Sequence, residues 1–388
     1  MTTTINKKQK NPNVPNLRFP EFSGEWMHST IGSEFDLYSG NTPNRLNKEQ
    51  FKGDVNWISS GELKEHYISE TKEKITQEAA NNNNLKLLPI GTFVIAIYGL
   101  EAEGVRGTCS ITRGLSTISQ ACMAFTPIGS ITNEFLYSWY KKHGNLIGIK
   151  YAQGTKQQNL SYDIISQFRI DYPQREEQVK LERFISLLDE RIATQNKIIE
   201  DLKMLRSAIT NKIFNSLSGE IVMLSEICNI VKGKQINGEC LADNGNYYVM
   251  NGGTEPSGYY EEYNVGANTI SISEGGNSCG YVQFNTLPFW SGGHCYTLQN
   301  ISKNVDHIFL YHYLKSKESQ IMRLRIGSGL PNIQKKDLAK FKVVILSTEQ
   351  QDIVSAFLSA LERKAELHTN TLSALHSEKQ YLLRQMFI

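Results

Sequence analysis

GTKQQNLSYDIISQF, residues 154–168, has a counterpart 173 residues later in GSGLPNIQKKDLAKF, residues 327–341. In both stretches Gly stands first, Asn stands sixth and Phe stands last. The matched register continues without a gap as far as Phe214 in the first copy and Phe387 in the second. Such a long gapless register indicates an internal repeat, in which one structure is encoded twice.

The repeat also extends towards the start of the chain, with small shifts in register. FLYSWYKK (135–142) is similar to FLYHYLKS (309–316), and IGSEFDLYSG (31–40) is similar to LSEICNIVKG (224–233). Two copies are fewer than the three or more that a solenoid needs. The pattern therefore predicts two related halves with pseudo-twofold symmetry.

A long helix is the clearest structural feature of each copy. Residues 175–214 and 347–388 contain neither Pro nor Gly, and they carry apolar residues at heptad spacing. Each helix would be about 40 residues, or roughly 60 Å, long. We predict that the two helices pack as an antiparallel coiled coil, with a second apolar stripe at Ile185, Ile192 and Ile199 beside the main seam. The predicted main seam consists of Leu181, Phe184, Leu188, Ile198, Leu202, Leu205, Ile209, Val354, Phe357, Leu361, Leu375 and Leu382.

The segments that separate the helices are predicted to be mainly β-structure with short helices. GTFVIAIY (91–98), TISISEGG (269–276) and YVQFNTLPF (281–289) are rich in β-branched and aromatic residues and are bounded by Gly. The predicted fold class is α+β, with two α/β domains joined by two long antiparallel coiled-coil helices. The predicted boundaries are a disordered tail at 1–16, a first domain at 17–172, a helical spacer at 173–215, a second domain at 216–346 and a C-terminal helical spacer at 347–388.

Composition narrows the class of protein. The net charge is +2 and the isoelectric point about 8.1, which is too close to neutral to predict nucleic-acid binding by itself. The six cysteines include no C-x-x-C pair, so we predict no metal site and reduced thiols. The start of the chain lacks the apolar core of a signal peptide, and no run approaches the ~20 apolar residues of a membrane span. We expect a soluble, cytoplasmic protein.

Four stretches together resemble one family, the specificity (S) subunit of type I restriction-modification systems. LRFPEFSGEW (17–26) is similar to the start of many such subunits, and SGNTPNRLNKEQFKGDVNWISSGEL (39–63) to the start of their target recognition domains. PQREEQVKLERFISLLDERI (173–192) and STEQQDIVSAFLSALERKAEL (347–367) resemble the two helical regions of the family. The order and duplication of these stretches carry the resemblance.

The resemblance implies a DNA-reading protein in which each recognition domain reads one half of a bipartite, asymmetric target. The helix pair would set the spacer between the half-sites and dock the modification subunits. The implied partners are double-stranded DNA, two modification (methyltransferase) subunits and two restriction (translocase and endonuclease) subunits. S-adenosylmethionine, ATP and Mg would be bound by those partner subunits, and no cofactor by this chain.

Candidate DNA contacts fall into three groups. Basic residues near the repeat junctions suit phosphate contacts, although they could equally form a solvated helix face: Lys142, Lys150, Lys315, Arg323, Lys335 and Lys336. The repeated loops offer amide, hydroxyl and amino groups that can pair with base edges, although they could also be structural turns: Thr155, Lys156, Gln157, Gln158, Asn159, Ser328, Gly329 and Asn332. The third group is weaker, because each member could be an ordinary surface loop: Ser39, Gly40, Asn41, Thr42, Tyr98, Arg106, Lys232, Lys234, Asn251, Gly276 and Asn277.

Motifs for catalysis are missing from the sequence. It contains no G-x-x-x-x-G-K-[ST] loop for ATP. It also lacks the Asn/Asp-Pro-Pro-aromatic tetrapeptide of adenine methyltransferases. We therefore predict no catalytic residue, which argues against a methyltransferase fused to its own reader. A coiled-coil adaptor that does not bind DNA remains the alternative, and the near-neutral charge favours it.

Overall fold

A computed structural model describes residues 13–102, 104–154, 158–327, 329 and 331–388. The chain divides into two units. The first runs to Asn196 and takes in Thr371–Ile388, and the second is Lys197–Asn370. Much of the predicted tail at 1–16 lies outside the described residues.

The first unit contains an α/β head, which we call the first head and which begins at Met27 and ends at Tyr172. Its strands are β1 Met27–Thr30, β2 Phe35–Ser39, β3 Val55–Ile58, β4 Tyr67–Ile68, β5 Lys74–Ile75, β6 Phe93–Ala96, β7 Cys109–Thr112, β8 Ser116–Ile118, β9 Cys122–Pro127 and β10 Arg169–Tyr172. Its helices are α1 Ile31–Glu34, α2 Gln77–Asn82, α3 Asn133–Tyr151 and α4 Tyr162–Ser166. The long helix α5, Arg175–Asn215, follows directly.

The second unit contains the second head, which begins at Glu220 and ends at Ile345. Its strands are β11 Glu220–Met223, β12 Asn229–Lys232, β13 Tyr247–Met250, β14 Tyr259–Tyr260, β15 Thr269–Ser273, β16 Val282–Asn285, β17 Trp290–Ser291, β18 Cys295–Gln299 and β19 Lys342–Ile345. Its helices are α6 Leu224–Ile227, α7 His307–Ser316, α8 Glu318–Met322 and α9 Lys335–Ala339. The long helix α10, Thr348–Met386, follows.

The two heads share one sheet plan, although among the described residues the larger sheet has five strands in the first head and four in the second. In the first head the larger sheet has the order β2-β9-β6-β7-β4, and a smaller sheet has the order β5-β3-β8 with β3 and β8 parallel. The second head repeats this plan as β12-β18-β15-β16 and β14-β13-β17, again with a parallel pair, β13 and β17. In each head the first and last strands pair antiparallel, β1 with β10 and β11 with β19. The internal repeat is therefore a repeat of structure.

A buried glutamine joins each head to the long helix that follows it. Gln178 is fully buried; its side-chain oxygen accepts from Thr132 N at 3.1 Å, and its amide nitrogen donates to the carbonyls of Ser130 (3.1 Å) and Pro173 (2.9 Å). The equivalent in the second unit is Gln351, 173 residues later. Its contacts with the backbone of residues 304, 306 and 346 form the same pattern.

Within each unit the two long helices pair antiparallel. In the first unit Asp189 of α5 accepts from Lys379 of α10, and the earlier Leu181 shares a core with the later Phe387. In the second unit Arg206 of α5 lies 3.0 Å from Glu362 of α10. There Phe214 and Leu358 share a core, so the direction is again antiparallel. The predicted fold class, two α/β domains with a pair of long antiparallel helices, is confirmed.

The predicted seam needs one correction. Leu205 is 49% and Phe357 45% exposed, so neither lies in the seam. The second stripe is the better covered, because Ile185, Ile192 and Ile199 are all buried. A helix that packs on a head as well as on its partner buries a face wider than a heptad seam, and periodicity does not tell which edge is covered. Of the other predicted positions, Leu181 and Leu375 are buried and the rest half-buried: Phe184, Leu188, Ile198, Leu202, Ile209, Val354, Leu361 and Leu382.

None of the helices in the described ranges combines the length and the apolar character of a membrane span.

Candidate nucleic-acid interface

The repeated Asn closes a narrow loop in each head. Asn159 and Gln153 exchange backbone hydrogen bonds of 2.9 and 2.8 Å, and Asn332 and Ile326 do the same at 3.0 and 2.8 Å. Gly154 follows Gln153, and Gly327 follows Ile326. These two glycines have φ of 107° and 96°, values that residues with a side chain rarely adopt. The opening Gly and the Asn of the repeat thus belong to the same loop, in which the Gly is favoured by its positive φ and the Asn contributes its backbone N–H and carbonyl.

Each loop lies beside the end of a central strand. Leu160 N donates to Ile97 O at 2.9 Å just after β6, and Ile333 N donates to Glu274 O at 2.8 Å just after β15. The fold therefore holds the loop candidates at one edge of the larger sheet of their own head. Gly329 and Asn332 are exposed there, whereas Gln158 and Asn159 are half-buried. The candidates Thr155, Lys156, Gln157 and Ser328 lie outside the described residues.

In the second head the loop borders a cleft of about 680 Å³. We call it the second-head cleft, and it is lined by Lys232, Asn251, Gly252, Gly253, Ser257, Glu274, Gly275, Gly276, Asn277, Ser278, His294, Pro331 and Asn332. Five candidates from four separate stretches of the sequence meet here: Lys232, Asn251, Gly276, Asn277 and Asn332. Amide, ammonium and backbone groups dominate this lining, and such groups can bind both phosphates and base edges.

Glu274 and His294 are cleft residues that the sequence reasoning missed. Glu274 is 8% exposed, and its Oε1 accepts from Lys232 Nζ at 2.6 Å and from the Tyr296 hydroxyl at 3.0 Å. Burial and the adjacent Glu274 carboxylate raise the pKa of Tyr296. In the sequence, residues 269–276 indicate only β-structure bounded by Gly. The signal available is a carboxylate within the Gly-rich end of that stretch.

In the first head four candidates also come together. Tyr98 pairs with Asn159 through the backbone. Arg106 donates from Nη2 to Gln158 Oε1 at 2.8 Å. Close packing holds Arg106 in place, because a Cβ on Gly148 would lie 2.5 Å from its Cγ. Arg106 is half-buried, and its hydrogen bond to Gln158 helps to fix the repeated loop of the first head.

The turn at residues 39–42 is held by its own contacts. A Cβ on Gly40 would lie 1.8 Å from the carbonyl oxygen of Ile118, so only glycine fits. Asn41 accepts from Thr42 N at 2.8 Å through its side-chain oxygen. These contacts give Gly40 and Asn41 a structural task, and Ser39 remains exposed at the end of β2.

Two basic candidates have partners within the fold, and their contact with DNA stays a prediction. Lys142 donates to Phe387 O at 2.6 Å at the end of α10, and burial lowers its pKa. Lys315 donates to Glu318 Oε2 at 2.6 Å and lies 3.9 Å from the centre of the Tyr281 ring. Both ammonium groups hold the fold together, which the count of basic residues in the sequence did not reveal. The other basic candidates are exposed: Lys150, Lys232, Lys234, Arg323, Lys335 and Lys336.

A second group that the sequence did not indicate surrounds His66 in the first unit. The His66 ring stacks between Tyr67 and Tyr137, with centroid distances of 4.0 and 3.8 Å. Its Nε2 lies 2.9 Å from Glu134 Oε2, and its Nδ1 lies 3.2 Å from Asp189 Oδ2. Burial opposes protonation, but the two carboxylates outweigh it and raise the pKa of His66. The group ties α3 of the head to helix α5.

Three of the described cysteines are buried thiols with little nucleophilic character. Burial raises the pKa of Cys109, Cys122 and Cys228 to about 12, so these thiols stay protonated near neutral pH. Within the ranges that the structure describes, no three His, Cys, Asp or Glu side chains are grouped to hold a metal ion.

Comparison with known proteins gives a consistent result. The family described as type I restriction modification DNA specificity domain matches residues 23–204 and 219–377. A type I specificity subunit from Mycoplasma pneumoniae is 34% identical over 151 residues, covering 38% of this chain and 40% of the relative. The specificity subunit of the type I restriction enzyme EcoR124I/EcoR124II from Escherichia coli is 27% identical over 209 residues, covering 52% of this chain and 50% of the relative. These matches span about half or less of the curated relatives' length.

The fold is also that of a solved structure. The type I restriction-modification S subunit from M. genitalium superimposes with a TM-score of 0.66 at 21% identity, covering 97% of this chain and 99% of that one.

Proposed function

Because the chain belongs to the type I restriction modification DNA specificity domain family, we propose that it is the subunit that selects the DNA sequence for such a system. Each head reads one half of a bipartite target. The heads differ in the residues that surround the repeated loop, so the two half-sites differ and the target is asymmetric.

The observation that carries this proposal is the repeated loop beside a polar surface. In each head the Asn-closed loop is fixed to the end of a central strand, β6 or β15. In the second head that loop borders a cleft in which amide, ammonium and carboxylate groups converge. A reader of base edges needs donors and acceptors held rigidly at one place, and this arrangement supplies them.

Membership of this family also supports a proposal for the partners of the chain. Helices α5 and α10 set the distance between the half-sites and dock two modification subunits, which methylate one adenine in each half-site. Two restriction subunits add ATP-driven translocation and cleavage. S-adenosylmethionine, ATP and Mg are bound by those subunits, this chain takes no cofactor and performs no catalysis, and the complex acts in the cytoplasm.

A mobility-shift titration tests the proposal against the adaptor alternative. The full chain is reconstituted with its modification subunits and titrated with duplexes that contain or lack the methylated motif of the host genome. We expect binding at least 10³-fold tighter to the motif, within the usual range for specific over non-specific affinity. Equal affinity for both duplexes would favour an adaptor that does not read DNA.

A further inference from the structure

Glu274 lines the second-head cleft and, within the part of the chain that the structure describes, carries a buried oxygen without a hydrogen-bond partner. Its Oε1 accepts from Lys232 and Tyr296. Its Oε2 is buried and has no hydrogen-bond partner among the described residues. Nδ1 of His294 lies 3.6 Å from Oε2, which is longer than a hydrogen bond.

A buried carboxylate oxygen without a donor costs free energy, and native structures rarely keep one without a reason. The backbone holds Glu274 firmly in this position. Its N–H donates to His294 O at 2.9 Å, and its carbonyl accepts from Ile333 N at 2.8 Å. The carboxylate is therefore a rigid acceptor in the lining of an open cleft, and a movement of His294 would make its Oε2 available to a ligand that brings an N–H group.

Lys232 places a donor next to this acceptor. Its Nζ lies 2.6 Å from Glu274 Oε1, and 51% of its side chain is exposed. In the major groove a C·G pair presents the complementary groups side by side: the cytosine N4 amino group is a donor, and the neighbouring guanine O6 is an acceptor. An A·T pair also presents an amino group beside a carbonyl, but guanine offers a lysine two acceptors, O6 and N7, where thymine offers only O4.

We propose that Glu274 and Lys232 together read one C·G base pair in the half-site of the second head. Glu274 accepts from cytosine N4, and Lys232 donates to guanine O6 and N7. His294, whose side chain is 61% exposed, turns aside to open Oε2. The inference rests on the DNA-reading function proposed above and names the pair that sets specificity within it.

The first head has no such pair at the equivalent position. The residue after the loop's Asn, Ile333 in the second head and Leu160 in the first, donates its N–H to the carbonyl of Glu274 and of Ile97, respectively. Ile97 is buried and apolar. This difference gives the two heads different base preferences although they share one sheet plan.

The test measures base preference position by position. The full chain with its modification subunits is titrated with duplexes in which each base pair of the target is replaced in turn. We expect Glu274→Gln to reduce the preference for C·G at one position of one half-site by roughly 5- to 150-fold, the range for a good base contact. Lys232→Met should reduce the preference at the same position, and Glu262→Gln, at an exposed residue of the same head, should change nothing.

Three results would overturn the assignment: unchanged preference in both variants, effects at different positions in the two, or a loss spread evenly over all positions, as a purely structural role would give. If Glu274→Gln does not fold, Lys232→Met decides, because that side chain is half-exposed. A wild-type complex without any sequence preference would instead refute the proposed function itself.

Discussion

At the scale of single residues, the two buried glutamines show what the repeat preserves. Gln178 and Gln351 each join three backbone groups at the junction between a head and a long helix. The side-chain amide is suited to this task, because it offers an acceptor and two donors in one plane. The sequence matched the two glutamines, but it could not show what they bind.

Replacing Gln351 by Ala should reduce the free energy of unfolding by about 3 kcal/mol, because two carbonyls and one N–H lose their partner in a buried place. Gln320→Ala is the matched control, since Gln320 is exposed on α8, and we expect a change within about 0.5 kcal/mol. Urea unfolding measures both. Similar losses in the two variants would show that the Gln351 contacts do not stabilise the junction.

His66 should make stability depend on pH near neutrality. The Asp189 and Glu134 carboxylates outweigh burial and raise its folded pKa above the ordinary value. The contribution of the protonated ring is therefore complete below pH ~6.5 and is lost as pH rises through the folded pKa. Unfolding at a series of pH values should show this loss in the wild type and not in His66→Gln. If the free energy of unfolding had the same pH dependence in the wild type and in His66→Gln, this role of His66 would be contradicted.

At the scale of elements, the burial of the two long helices differs from the heptad pattern. Ile185 is 1% exposed, whereas Leu205, a predicted seam residue, is 49% exposed. Ile185 packs into the core of the first head as well as along the helix, so its environment depends on tertiary contacts that a heptad count does not contain.

Ile185→Ala should therefore cost about 2–5 kcal/mol of unfolding free energy, as for other large-to-small changes in a core. Leu205→Ala should cost less than about 1 kcal/mol, because half of its side chain is already in water. Chemical denaturation of the two variants gives the comparison. A larger loss of unfolding free energy for Leu205→Ala than for Ile185→Ala would instead support the seam predicted from the heptad spacing.

The elements also show how far the sequence reaches. The long helices, the strand-rich heads and the Asn of each loop follow from periodicity and repetition. The role of Lys142 does not, because its partner, Phe387 O, becomes a neighbour only in the folded chain. The second-head cleft likewise joins residues from Lys232 to Asn332, and no local pattern links them.

At the scale of the whole molecule, α5 and α10 each pass from one unit into the other, at Asn196 and Asn370. The proposed spacer between the half-sites depends on the length of this helix pair. The pair is antiparallel in each unit, so a change in one helix must be matched in the other to keep the contacts in register.

Inserting one heptad after Asn196 and another after Asn370 should lengthen the preferred spacer by about three base pairs. Seven residues add about 10.5 Å of helix, and base pairs are about 3.4 Å apart. Methylation mapping of the variant complex reads the spacer directly. The matched control carries the insertion in one helix only, and we expect it to lose specific methylation. An unchanged spacer in the doubly extended chain would contradict this role of the helices.

The central claim is that two heads of one chain read two different half-sites. Mapping every methylated adenine in a genome that carries this chain and its modification subunits tests it most directly. The account predicts a single asymmetric motif, with two defined halves and an undefined spacer of constant length, that disappears when the gene for this chain is deleted. Methylation without a motif, or a motif that survives the deletion, would contradict it.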